Sequence, residues 1–134
     1  MSIEIKNVNY LYSQGTSYEM HALKNVNLEI PDGQFVGLIG HTGSGKSTLL
    51  RCLNKLEEKQ DGDIVILGEN ISEIKKINQF RENIGMVFQH FNLFPNYTVL
   101  QNMTLAPTML KKMSKAEAVK KAEQLPVSYT HLTL

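Results

Sequence analysis

The stretch Gly40-His41-Thr42-Gly43-Ser44-Gly45-Lys46-Ser47-Thr48 has the form G-x-x-x-x-G-K-[ST], a pattern that constrains the chain on both sides of it. Such a loop makes a site only where a strand leads in and a helix leads out. The preceding run Phe35-Val36-Gly37-Leu38-Ile39 is apolar, short and bounded by turn residues, which predicts a buried parallel strand. After the loop, Leu49, Leu50, Leu53 and Leu56 recur at helical spacing, which predicts a helix over about 47–57. Strand, loop and helix come in the required order.

Glycines let the backbone fold back so that successive N–H groups point into one concavity, and the first helical turn adds unpaired donors at its positive end. Gly40, Thr42, Gly43, Ser44, Gly45 and Thr48 therefore read as a cradle for polyphosphate. Lys46 brings a positive charge to the β- and γ-phosphates, and the Ser47 hydroxyl is a ligand for Mg²⁺. His41 occupies a free position of the loop.

Composition bounds the rest. A chain of 134 residues has room for one domain, and 42% hydrophobic content suffices for an ordinary core. A net charge of +1 gives no electrostatic reason to expect nucleic acid. The single cysteine, Cys52, rules out an internal disulfide and reads as a small apolar residue of the helix after the loop. No apolar run approaches the ~20 residues needed to span a bilayer, and the N-terminus lacks a signal-peptide core. The expectation is a cytoplasmic chain, at most peripheral to a membrane.

Taken in order, residues 2–10 begin with alternating apolar and polar residues and predict an antiparallel strand with one solvated face. Tyr10 and Tyr12 read as half-buried strand aromatics. Residues 13–21 read as a loop, 26–30 as a strand, and Pro31-Asp32-Gly33 as a turn. Further strands are predicted over 63–68 and 83–88, with a short helix within 71–83. Phe91, Leu93 and Phe94 are large apolar residues in a segment that Pro95 keeps out of a helix. Helices are predicted over 98–104 and 114–125, the second opened by the capping-box spacing Ser114-Lys115-Ala116-Glu117.

The loop Gly40 to Thr48, followed some forty residues later by Ile84-Gly85-Met86-Val87-Phe88-Gln89, resembles the ATP-binding subunits of ABC transporters over about residues 3–125. The resemblance implies an α/β fold, a P-loop NTPase of the ABC ATPase type, truncated, with an N-terminal antiparallel β-subdomain and the start of the helical subdomain. It implies that Tyr12 stacks on adenine and that Gln89 is the Q-loop glutamine, reaching Mg²⁺ and the attacking water. It also implies ATP and Mg²⁺ as cofactors, a second ATP-binding subunit and a membrane-spanning permease as partners, and a place on the cytoplasmic face of the membrane. Phe91, Leu93 and Phe94 either meet the permease or pack inside the helical subdomain. Residues 1 to about 48 look like energy-coupling-factor importers of vitamins and metal ions, and those from about 49 on look like polar amino acid importers, so that a chimera is one hypothesis.

Family members continue to an LSGGQ signature, a catalytic Glu and a switch His, none of which occurs in these residues. The expectation is therefore a partial nucleotide-binding domain over 1–125 that binds ATP without turning it over. With part of the core uncovered, solubility is expected to be poor. Residues 126–134 (Pro126 to Leu134) resemble a translated sequencing adapter and are expected to be a non-native tail. Two other readings are a soluble ABC-type ATPase and a binding-only or kinase-type P-loop module.

Overall fold

The computed structural model describes residues 2–90, 92–110 and 113–125. Phe91 and the tail 126–134 lie outside the described residues. The chain divides into two compact units, 1–86 and 87–134.

The first unit is built on an antiparallel sheet with strand order β2-β1-β3-β4, in which β1 is Ile3–Tyr12, β2 Met20–Ile30, β3 Asp61–Ile66 and β4 Glu69–Asn70. In β1 the apolar residues change phase, from Ile3 and Ile5 to Val8, Tyr10 and Tyr12. A regular strand alternates faces strictly, so Ile5 and Val8 can both be buried only if the strand bulges between them. It does: the pairing with β2 shifts between Ile5 and Val8, and Asn7 has φ 50°. In β2 the same slip falls between Leu23 and Val26, at Asn25 with φ 45°. Asparagine tolerates this left-handed conformation better than most residues.

Two Asn-Val-Asn segments lock the paired bulges around Val8 and Val26, which face one another. The Asn7 N–H donates to Asn27 Oδ1 at 2.9 Å, and the Asn25 N–H donates to Asn9 Oδ1 at 2.8 Å. Each second asparagine also donates its amide to the carbonyl of the first, Asn9 to Asn7 and Asn27 to Asn25. Opposite the β1 bulge, β3 carries Gly62, where a Cβ would run into the backbone of Lys6 and Asn7.

α1, Lys46–Leu53, lays Leu49 and Cys52 on this sheet, where they join Ile5, Val8, Tyr10, Leu23, Ile64, Ile66 and Ile71 in the core. Cys52 is fully buried, as a small apolar residue would be. The helix is shorter than the expected 47–57, because Lys55 turns left-handed at φ 51° and the N–H groups of Leu56 and Glu57 fold back onto the Arg51 carbonyl. Leu56, beyond the helix, stays exposed, as does Leu50 within it. Arg81, at the end of α2 (Ile77–Arg81), donates to the carbonyl of Asn54, the α1 C-cap that the helix leaves unpaired, and to that of Lys55 just beyond it.

Two expected strands do not form. Residues 35–39 and 83–88 carry no strand, and Phe35 and Ile39 are fully exposed. Parallel strands are stable where neighbours cover both edges and both faces. Among the described residues the only sheet is antiparallel and offers these runs no parallel partner.

In the second unit, α3 (Val99–Met109) and α4 (Lys115–Glu123) each begin with a full capping box, Thr98 with Gln101 and Ser114 with Glu117. α3 runs past its expected end at 104 and carries Pro107 in its last turn, where the missing N–H leaves one i→i−4 bond unmade. Before α3, the Asn102 side chain binds the backbone of Phe94, Tyr97 and Thr98. The segment so held keeps Leu93 and Phe94 exposed, with the Phe94 ring 5.5 Å from that of Tyr97.

Candidate nucleotide-binding site

The loop is closed by its own lysine. Lys46 Nζ donates to the Gly40 carbonyl at 2.6 Å, the His41 carbonyl at 2.7 Å and Ser44 Oγ at 2.9 Å. An ammonium has three donors, and these three acceptors draw the loop around it. The Ser44 N–H returns to the His41 carbonyl at 3.2 Å, which bends the tip. A Cβ at Gly40 would lie 2.7 Å from Ser44 Oγ, so a side chain there would displace the groups that surround the ammonium.

Gly45 is the hinge between loop and helix. It caps α1 at φ 86°, a conformation costly for any residue with a Cβ. A Cβ here would also lie 2.5 Å from the Ala22 carbonyl and 3.2 Å from the Leu23 side chain. The loop therefore rests directly on the β2 backbone, and only glycine permits the approach.

Ser47 is exposed in the first turn of α1, and that turn has no acidic side chain. The positive end of the helix is thus left to an anion from outside. Thr48 is buried, and its Oγ1 lies 3.0 Å from the Tyr12 hydroxyl. The structure thereby brings Tyr12 to the phosphate loop although 36 positions separate it from Thr48. Thr42 and Gly43 lie exposed at the tip, where His41 Nδ1 contacts the Thr42 carbonyl at 2.8 Å. Gln89 belongs to the second unit and is exposed there.

Among the described residues, no group of three or more His, Cys, Asp or Glu side chains could hold a metal ion. The oxygen donors at this loop include the Ser47 and Ser44 hydroxyls and backbone carbonyls. That donor set suits Mg²⁺, which keeps waters and takes phosphate oxygens with few protein ligands. The exposed Ser47 hydroxyl can supply one of these.

Sequence reasoning missed the support beneath the loop. Tyr10 donates its hydroxyl to Glu57 Oε2 at 2.6 Å. This bond, with burial, pushes the Tyr10 phenol well above its ordinary pKa. Gln60 binds both the N–H and the carbonyl of Leu11, at 2.8 and 3.1 Å. No local signal marks these contacts, since they join β1 to a segment nearly fifty positions away.

Comparison with known proteins gives the family. The family described as ABC transporter matches residues 23–133. The chain is 51% identical to the uncharacterized amino-acid ABC transporter ATP-binding protein YhdZ of Escherichia coli, over 95% of the chain and 47% of that protein. It is 45% identical to the general L-amino acid transport ATP-binding protein AapP of Rhizobium johnstonii, over 88% of the chain and 44% of that protein. It is 49% identical to the glutamine transport ATP-binding protein GlnQ of Bacillus subtilis, over 87% and 46%. The chain thus spans about half the length of the curated relatives it matches. Among solved structures, the dimeric ATP-binding cassette MJ0796 bound to ADP and Pi superposes with a TM-score of 0.80 at 38% identity, covering 91% of the chain and 54% of that cassette. Its fold is that of the ABC ATPase cassettes, and the chain belongs to the ABC transporter family, in its ATP-binding domain.

Proposed function

We propose that this chain binds ATP with Mg²⁺ at the loop Gly40 to Thr48, as part of a subunit whose ATP hydrolysis drives import of polar amino acids. The observation that carries the reading is the Lys46 ammonium, held by Gly40, His41 and Ser44 at the mouth of a helix with no acidic first-turn residue. Lys46 is placed to exchange carbonyl partners for β- and γ-phosphate oxygens. The N–H groups of the first turn of α1 bind phosphate, and the Ser47 hydroxyl orients the cation. Bound Mg²⁺ neutralises the charge on the phosphates. Tyr12 stacks on adenine beside Thr48, and Gln89 senses the γ-phosphate and positions the attacking water.

The amino acid assignment is supported by the names of the relatives. The match to YhdZ covers 95% of the chain, and so reaches well into residues 1–48, the part that resembles energy-coupling-factor importers. By the same family logic the subunit pairs with a second ATP-binding subunit and docks on a permease at the cytoplasmic face of the membrane. The exposed Leu93 and Phe94 suit the docking surface, and no helix among the described residues is long and apolar enough to cross a membrane. Nucleic acid is not an expected partner.

These 134 residues contain the phosphate loop and Gln89 but neither an LSGGQ signature nor its following Glu and His, so the chain by itself binds ATP and does not turn it over. A phosphate-release assay on the purified chain tests this. No release above background is expected, whereas release that disappears in Lys46→Ala would contradict it.

A further inference from the structure

We propose that Tyr10, anchored by Glu57, is a positioning residue that sets the plane of the Tyr12 ring and with it the share of nucleotide affinity that depends on the base. The inference rests on the reading of Tyr12 as the adenine platform.

Tyr12 is held at its hydroxyl, 3.0 Å from Thr48 Oγ1. That oxygen lies on the axis about which a phenol ring rotates, so the bond fixes where the ring ends and leaves its plane free to turn. The strand beneath is already immobilised, since Gln60 binds Leu11 through both backbone groups. What remains is the ring torsion, and among the core side chains that Tyr12 packs against, the one in ring contact with it is Tyr10. The two ring centroids lie 4.8 Å apart with planes at 74°, an edge-to-face contact of the kind aromatic quadrupoles favour. Tyr10 can act as a stop because it cannot itself turn easily: it is buried in the core and tied to Glu57 Oε2 at 2.6 Å. Stacking needs a π face presented in one plane, so a Tyr12 ring free to rotate loses affinity for the base and none for the phosphates.

The test compares ATP with inorganic triphosphate, both with Mg²⁺, by calorimetric titration of the 134-residue chain. Tyr10→Leu removes the stop, and Glu57→Ala leaves the Tyr10 ring in place without its anchor. For Tyr10→Leu, ATP binding is expected to weaken by about three- to tenfold, the range that an edge-to-face contact supplies. Glu57→Ala should shift it in the same direction by less, and triphosphate binding should stay unchanged in both. Equal weakening of the two ligands in Glu57→Ala, or unchanged ATP binding in a Tyr10→Leu chain that still binds triphosphate, overturns the proposal. If Tyr10→Leu loses both ligands together, it has unfolded and Glu57→Ala decides alone. Tyr12→Ala separates the two readings. An unchanged ratio of ATP to triphosphate affinity there overturns the stacking role and this inference with it, and a lowered ratio that neither Tyr10→Leu nor Glu57→Ala reproduces overturns the Tyr10 role only.

Discussion

Gly45 carries two constraints at once, a left-handed φ of 86° and a Cβ position 2.5 Å from the Ala22 carbonyl. Gly45→Ala must both strain its backbone and push the loop off β2, so a loss on the order of 2 kcal/mol or more is expected in denaturant unfolding. Cys52 offers a second residue-level prediction. Burial pushes its thiol up to about 11, and only the thiolate is nucleophilic. At pH 8 its alkylation should run at no more than about a thousandth of the rate of a fully ionised, exposed thiol, since burial also blocks access. The sign for stability follows, because the folded chain holds this proton more tightly than the unfolded chain. Stability should therefore fall as pH rises from about 9 toward 11, and a urea series over that range checks it. Both residues were legible in sequence in different degrees. The glycine was marked by the motif and the cysteine by its small apolar character on the helix after the loop, but the Ala22 carbonyl that makes Gly45 irreplaceable lies on a strand that no local pattern connects to the loop.

At the scale of elements, the caps were readable and the bulges were not. Ser114 and Glu117 form the expected box because every atom involved lies within one turn. Hydrogen bonds from Ser114 hold the Glu117 carboxyl below the usual carboxylate range. Its stabilising effect is present at neutral pH and is lost as pH falls through that lowered value. Ser114→Ala should cost about 1 kcal/mol and return the Glu117 titration, followed by NMR, to the ordinary range. The Asn-Val-Asn clasp left a trace, the change of phase between Ile5 and Val8, but the alternation that begins the segment points only to a strand and not to a bulge in it. Asn27→Ala removes the acceptor for the Asn7 N–H, an exposed bond that water can partly replace. The expected loss is about 1 kcal/mol by thermal unfolding, and no change would mean that the clasp follows the bulge and does not hold it. Residues 35–39 and 83–88 mark the opposite limit. Their apolar runs suit strands, but a parallel strand takes its stability from neighbours, and none is present among the described residues.

For the whole molecule, the antiparallel sheet, α1 and the loop assemble within the first unit, where Tyr10 and Tyr12 of β1 bond to Glu57 and Thr48, and Gly45 rests on the β2 backbone. The family was legible from the pairing of the loop with the segment ending at Gln89, since each motif alone is common and the two together are not. The contacts that fix Tyr12 were not legible, because they join residues distant in sequence through chemistry that many other pairs could provide. The central claim is that the loop closed by Lys46 is a working ATP site in this chain. Calorimetric titration of the chain and of Lys46→Ala with ATP and Mg²⁺ tests it most directly. A charge-assisted contact to phosphate is worth about a 10- to 100-fold change in affinity, so the parent chain should bind and the variant should bind weaker by that factor. Equal affinities for the two proteins, or no binding by a parent chain that is folded by circular dichroism, would contradict the account.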